Sequence, residues 1–290
     1  MSALLFTALV ASAFPRFESD QPLDKDQSSV AFTLGGGSGI ERVLITQELS
    51  ARWVISEVFA AELRIPWGHY DVVPDTEFNF QPEPAFFGGD SLRMGNVVLG
   101  ARARTAMGEN KRGRLESGVD FAFGTAGGDI PAVAQTLSMG RLHALERVYV
   151  YLPRYAAVVV PLDIETVSSW GVLVQTEFDF VALLPTNAAN PGGAASVVGR
   201  FGYRGGWFDI TLGAGAAFAI VLDSELNRLG TSSFSTSAFL EPALKLYSSG
   251  APFAGEHIAL DLRGRVIPAL NNNFERIDAA LFMGLSVLWD

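Results

Sequence analysis

Apolar residues fall on alternate positions along most of the chain, the period of a strand whose two faces meet different surroundings. From Trp170 the set Trp170, Val172, Val174, Thr176, Phe178, Phe180 and Ala182 alternates with Gly171, Gln175, Glu177 and Asp179, with Leu173 and Val181 as exceptions. Ile210, Leu212, Ala214, Ala216, Phe218 and Ile220 alternate with Asp209, Thr211 and the small residues Gly213, Gly215, Ala217 and Ala219. Ala238, Leu240, Leu244 and Leu246 alternate with Ser237, Glu241 and Lys245, and Ile258, Leu260, Leu262 and Val266 with Asp261, Arg263 and Arg265. The last segment sets Ile277, Ala279, Leu281, Met283, Leu285, Val287 and Trp289 against Asp278, Ala280, Phe282, Gly284, Ser286 and Leu288.

The pattern predicts twelve strands, over residues 28–35, 41–50, 52–66, 94–105, 114–124, 155–166, 169–183, 193–204, 206–221, 233–248, 256–267 and 276–289. An even number returns both termini to one end. The connections alternate in length: those near 51, 106–113, 167–168, 205 and 249–255 are mostly short, and those at 36–40, 67–93, 125–154, 184–192, 222–232 and 268–275 are mostly longer. Segments 67–93 and 125–154 are long enough to fold over or into a barrel mouth. Gly35–Gly39, Gly205-Gly206, Asn187–Gly193 and Asn271–Asn273 supply turn chemistry. The run LGGGSG, Leu34 to Gly39, lacks the Lys-Ser/Thr and helix of a phosphate loop and reads as a turn.

Composition decides what surrounds these strands. The 290 residues are 49% hydrophobic and 18% charged, with mean hydropathy +0.25, which points to a membrane. A helical crossing needs about 18 or more consecutive apolar residues, whereas the best run, Thr211 to Leu222, has twelve. Only a closed barrel is left to satisfy the backbone in lipid. The expected fold is therefore all-β, a transmembrane antiparallel up-and-down β-barrel of about twelve strands, with 28–290 as one outer-membrane barrel domain.

Residues 1–13, with an apolar stretch from Ala3 to Val10 and small residues at Ala11 and Ala13, read as a signal peptide, and 14–27 as a polar periplasmic lead. Trp53, Trp67, Tyr70, Trp170, Tyr203, Trp207, Tyr247 and Trp289 gather near strand ends, as an interfacial aromatic girdle would. A net charge of −10 leaves no basic field for nucleic acid, and the absence of cysteine excludes disulfides and thiolate sites.

With the apolar set turned to lipid, the charges turn inward: Glu62, Arg64, Arg102, Arg104, Glu116, Asp120, Asp163, Glu165, Glu177, Asp179, Arg200, Asp209, Glu241, Lys245, Asp261, Arg263, Arg265 and Asp278. These residues either brace and solvate the wall or, in a sharper reading, Arg102, Arg104, Arg200, Arg263 and Arg265 form a basic ladder across from an acidic wall and select solutes by a transverse field. In loop 67–93, Phe78, Phe80, Phe86 and Phe87 stand among Asp71, Asp75, Glu77 and Glu83, a mix suited to an amphipathic solute or to packing the loop into the mouth. His69, His143 and His257 show no metal-ligand spacing and accompany no nucleophile motif, so neither enzyme nor metal nor cofactor chemistry is expected.

The segments RIPWGHYD (Arg64 to Asp71), GDSLRMGNVVLGARAR (Gly89 to Arg104) and SGVDFAFGTAGGD (Ser117 to Asp129) resemble the order of strand, long loop, G-D-x-x-x-x-G-N strand and glycine-ended strand in outer-membrane transporter-like barrels. That broad group includes the phenol-degradation meta-pathway family and the fatty-acid channel relatives. The match covers residues 40–130 and the general C-terminal pattern, without the N-terminal hatch of fatty-acid channels. The resemblance implies a porin-like passive transporter in a Gram-negative outer membrane, taking small apolar or amphipathic molecules by an axial or lateral path. Its implied partners are outer-membrane lipid, the barrel assembly machinery and a small-molecule solute. The rival readings are a non-conducting envelope barrel and a soluble, exported β-sandwich or lipocalin-like binder, whose strands would alternate too.

Overall fold

The computed structural model describes residues 27–39, 42–72, 91–108, 112–126, 146–152, 154–186, 190–205, 207–220, 234–248, 257–268 and 277–289. In chain order these form β1 (Ser28–Gly39), β2 (Arg42–Val54), β3 (Phe59–Val72), β4 (Ser91–Met94), β5 (Val98–Met107), β6 (Gly113–Ala122), a one-turn helix α1 (Val148–Tyr151), β7 (Tyr155–Val167), β8 (Val172–Pro185), β9 (Gly192–Arg204), β10 (Phe208–Ile220), β11 (Phe234–Tyr247), β12 (His257–Pro268) and β13 (Ile277–Trp289). Successive strands pair antiparallel, and β1 closes on β13 from Ser28 opposite Trp289 to Ser38 opposite Ala279. Because β4 and β5 both pair with β3 and share one place in the ring, the wall is a closed barrel of 12 strands. Ser28 and Trp289 lie at the same end, called here the terminal end.

The two faces divide as the alternation predicts. Phe32, Leu49, Leu99, Phe121, Phe180, Phe201, Leu285 and their neighbours face outward, with Leu212 60% and Leu281 62% exposed. A soluble sandwich or lipocalin-like fold would have turned these side chains into its core, whereas here they clothe the outside of a sheet closed on itself by the β1–β13 pairing. That surface is stable against acyl chains and unstable against water.

At the terminal end Trp53, Trp170 and Trp207 are exposed, and Trp207 lies 4.8 Å from the ring of Phe208. Tyr247, expected among the girdle, instead turns inward and donates its hydroxyl to Asp209 at 3.1 Å. Trp67, on the outer face nearer the other end, donates to Gln47. The side chain of Tyr70 lies outside the described residues.

Several boundaries move. The turn expected at Ala51 is at Ile55–Val58, where the amides of Ile55 and Ser56 reach the Phe59 carbonyl and the Ser56 hydroxyl accepts from Val58 and Phe59. This turn has no Gly or Pro, so the sequence concealed it. Gly35–Gly39, expected as a turn, continues β1. A Cβ on Gly35 would come within 2.6 Å of the Phe282 ring, so the glycine serves a strand crossed by a large neighbour. Strand β3 runs on to Val72, which places His69 in the wall instead of a loop, and His257 opens β12.

Three prolines also stand in mid-strand. Proline has no N–H for a ladder, and pairing breaks on one side of each. Beside Pro66, β3 passes from β4 to β5; beside Pro161, β6–β7 pairing skips from Ser117–Leu162 to Asp120–Val159; beside Pro242, β11–β12 pairing skips from Leu240–Val266 to Ala243–Arg263.

Candidate functional site: the barrel interior

The segment preceding β7 enters the barrel. Tyr149, Val150, Tyr151 and Leu152 are each no more than 2% exposed. They belong to one buried cluster with Val98, Ala122, Ala157, Val159, Val181, Leu183, Ala194, Ala219, Ala280 and Phe282, inward residues toward the end opposite the termini. Half of these wall positions are alanine, which leaves room for the inserted side chains at close packing. Burial pushes the Tyr149 phenol up to about 12 and the Tyr151 phenol upward as well, so both stay neutral at ordinary pH.

One side chain ties this segment to the wall. Asn96, fully buried, sits in the break between β4 and β5. Its Nδ2 donates to the carbonyls of Tyr149 at 2.8 Å, Leu152 at 3.0 Å and Tyr155 at 3.2 Å, and its Oδ1 accepts from the Ala126 amide at 2.8 Å. The Asn96 amide itself donates to the Val150 carbonyl at 2.6 Å. Beside it, a Cβ on Gly95 would stand 2.7 Å from that carbonyl, so the wall approaches the segment as closely as it does only with glycine there. The other end is held by charge: Arg147 pairs with Glu48 at 2.6 Å, and Glu146 with Arg265 at 2.7 Å.

Below the inserted segment, toward the terminal end, the interior encloses a cavity of about 530 Å³ lined mostly by polar and charged side chains, with apolar surface from Leu173, Val198 and Phe282 and from Leu162 and Phe178, two residues of the apolar set that border the cavity beside the pairing break at Pro161. Three ionic groups build it. Across β2, β3, β5 and β6, Glu62 binds Arg52 at 2.5 Å, Arg64 at 2.8 Å and Arg102 at 3.1 Å, while Arg52 grips Glu116 through both terminal nitrogens and Arg102 grips Asp120 in the same way. Across β8, β9, β11 and β12, Glu241 takes Arg200 and Arg265, and Arg200 also reaches Glu177 at 2.7 Å. The guanidinium of Arg265 lies 4.1 Å from the Phe239 ring centroid and 5.5 Å from that of Phe282. Nearest the terminal end, Arg204 joins Glu165 at 3.1 Å and Asp209 at 2.9 Å.

The residues singled out in the sequence are placed as follows. Arg64, Arg102, Glu116 and Asp120 lie in the first group, Glu177, Arg200, Glu241 and Arg265 in the second, and Asp209 in the third. Asp179, Lys245, Asp261 and Arg263 border the cavity directly, with Arg263 and Asp261 3.2 Å apart. Arg104 points inward but bonds the Glu57 carbonyl at 2.8 Å and so secures the β2–β3 turn. The Asp278 side chain and Phe78, Phe80, Phe86 and Phe87 lie outside the described residues, as does His143.

The arginines do not form a ladder across from an acidic wall. Arg102, Arg200, Arg263 and Arg265 each have a carboxylate on their own or a nearby strand, because desolvated cations need neutralising at contact distance.

Sequence reading missed several members. Arg52 and Glu48 went unassigned because the misplaced turn at Ala51 broke their phase, although positions 46, 48, 50 and 52 read Thr, Glu, Ser, Arg. Glu146 and Arg147 lay in a connection, where the apolar run VYVYL that follows them was the available signal of burial. Asn96 was quoted in the G-N motif without a role.

No family model and no curated protein matches the chain. Among solved structures, it is similar to the COG4313 outer membrane channel from Pseudomonas putida F1, with TM-score 0.58 and 9% identity over 95% of this chain and 98% of that one. It is more distantly similar to the CymD monoaromatic hydrocarbon channel (TM-score 0.37, 10% identity, 91% and 88% covered) and to the Pseudomonas putida toluene transporter TodX (TM-score 0.34, 10% identity, 97% and 92% covered). The first likeness is one of fold, a closed antiparallel barrel; the other two are too slight to bear on it.

Proposed function

We propose that this protein is a channel or passive transporter in the outer membrane of a Gram-negative bacterium, admitting small amphipathic molecules. The reading rests on one observation: an apolar-coated barrel encloses a cavity of about 530 Å³ lined by paired charges, and a short segment of its own chain stands at one end. A barrel serving only as a wall element gains nothing from that cavity, since replacing buried ion pairs by packed apolar residues is often neutral or stabilising. The terminal end faces the periplasm in this reading, because the long connections of such barrels are the outer ones. A solute meets an apolar zone around residues 149–152 and then the charged chamber, so a molecule with an apolar body and a polar end suits both.

Planar-bilayer recordings of the purified full-length chain, beside a variant lacking residues 127–152, test this. Discrete current steps are expected from the full chain, and larger, more persistent ones from the deletion. Silence from both, with each shown to be folded by its heat-dependent gel migration, refutes transport and leaves the non-conducting envelope barrel.

A further inference from the structure

We propose that Asp179 is the specificity-determining residue of the channel, and that the solute is a small amphipathic amine whose ammonium group Asp179 receives and whose apolar body lies against Phe178, Leu162 and Tyr149. This rests on the channel reading and gives its solute a chemical class.

The carboxylates of this interior follow one rule, and Asp179 departs from it. Glu62, Asp120, Glu165, Glu177 and Glu241 each pair with at least one arginine, and Asp163 accepts from the Gln175 amide at 3.2 Å. Asp179 lines the same cavity, yet no hydrogen bond or ion pair reaches it from the described residues. The sheet explains why: Asp179 stands opposite Pro161 on β7 and Ser196 on β9, so neither neighbouring strand brings a cation to its level. Of the charges that act on it most strongly, Arg64 is already committed to Glu62 at 2.8 Å, and Glu146, Glu177 and Asp120 are negative. Carboxylates also outnumber cations by two among the side chains lining the cavity. A half-buried carboxylate in such a field, left out of the pairing that its neighbours enjoy, is matched by a cation that arrives from outside.

Position turns this imbalance into selection. Along β8 the inward residues run Leu173, Gln175, Glu177, Asp179, Val181 and Leu183, and the last two belong to the apolar cluster around the inserted segment, so Asp179 is the last charge of its strand before that zone. Tyr149 of the segment lies within electrostatic reach of Asp179 and borders the same cavity. Leu162 and Phe178, a cross-strand pair one position away, put apolar surface beside the carboxylate. A solute entering from the apolar end therefore meets aliphatic and aromatic surface first and Asp179 next, the order that suits an apolar body carrying an ammonium head. An anionic amphipath of the same shape is repelled at the same point.

Benzylammonium is the probe, with benzyl alcohol and benzoate as its neutral and anionic counterparts. Binding is read by isothermal titration calorimetry on the full-length chain in a zwitterionic detergent, against a blank of empty micelles, and passage by interruptions of the current in planar bilayers. Wild type should bind benzylammonium about tenfold more tightly than benzyl alcohol, the preference a charged hydrogen bond confers, and benzoate more weakly than either. Interruptions of current should follow the same order. Asp179→Asn should abolish the preference for the ammonium while leaving the affinity for benzyl alcohol unchanged, and Asp179→Glu should keep it. Asp179→Ser carries the test if Asp179→Asn does not fold.

Benzylammonium held no more tightly than benzyl alcohol by wild type, or a preference undiminished in Asp179→Asn or Asp179→Ser, would overturn the proposal, and current steps that persist beside either result would leave the channel reading in place. Steps absent from wild type and from the 127–152 deletion alike, with the Asp179-dependent binding retained, would overturn the channel reading and leave Asp179 as the amine site.

Discussion

Toward its terminal end the interior of this barrel is a lattice of ion pairs, and toward the other end it is an apolar chamber filled by residues 149–152. In the first region every strong contact is directional: Glu62 serves three arginines, and Glu241, fully buried, serves two. In the second the wall is largely alanine and valine, and a few directed bonds, chiefly those of Asn96, supply the direction. Ion pairs withdrawn from water hold the wall strands in one arrangement because each partner is costly to strand. Apolar packing on small residues is far less particular about orientation. The difference teaches which half sets the geometry: the lattice fixes the bore, and the apolar half receives the inserted segment by packing.

If that division is right, the heaviest loss should come from the lattice. Glu241→Leu removes the shared partner of Arg200 and Arg265 and leaves two largely buried cations with one carboxylate each, Glu177 and Glu146. Breaking a buried pair from one side costs about 3–5 kcal/mol, so urea unfolding in detergent micelles should show a drop of that order. A drop below about 1 kcal/mol would mean that water penetrates the lattice and that the two regions do not differ in kind.

A smaller loss is expected from the apolar half. Ala219→Leu adds three carbons to a position 3% exposed in the cluster that receives the inserted segment. Overpacking of this sort costs about 1–3 kcal/mol, and the segment, not the wall, should yield. Hydrogen exchange of residues 149–152 should then quicken while the amides of β11 and β12 keep their protection; equal quickening in both would show the apolar half to be as rigid as the lattice.

Much of this contrast could be read from the chain because lipid and lumen differ so sharply in polarity. Where a strand meets both, as at 170–182 or 277–289, alternation gives its facing directly, and the charges assigned inward from Glu177, Arg200 and Glu241 border the interior. Alternation carries nothing where local chemistry is silent about neighbours. Ile55–Val58 turns without Gly or Pro, and its capping comes from Arg104, nearly fifty residues later. Gly35 answers to Phe282 across the β1–β13 seam. Asn96 faces carbonyls about 53 to 59 residues away, and no periodicity encodes that. The pairing of arginines with carboxylates also escaped, because alternation reports which face a charge occupies and not which charge stands beside it.

The slightest effect should come from Arg263→Gln, and its size sharpens the comparison from within the charged half. Arg263 and Asp261 face the cavity with side chains 37% and 28% exposed, two positions apart on β12 and 3.2 Å from each other. Water in the chamber screens such a pair, and holding two long side chains together costs entropy, so the pair should contribute only about 0–1 kcal/mol. The same unfolding titration should therefore find Arg263→Gln close to wild type. Its ion selectivity, from reversal potentials in a salt gradient, should shift toward cations, since one positive charge leaves a chamber wall that retains Asp163, Asp179 and Asp261. A stability loss comparable to that of Glu241→Leu would show Arg263 to be part of the lattice and move the boundary between bracing charges and solute-facing charges inward past it.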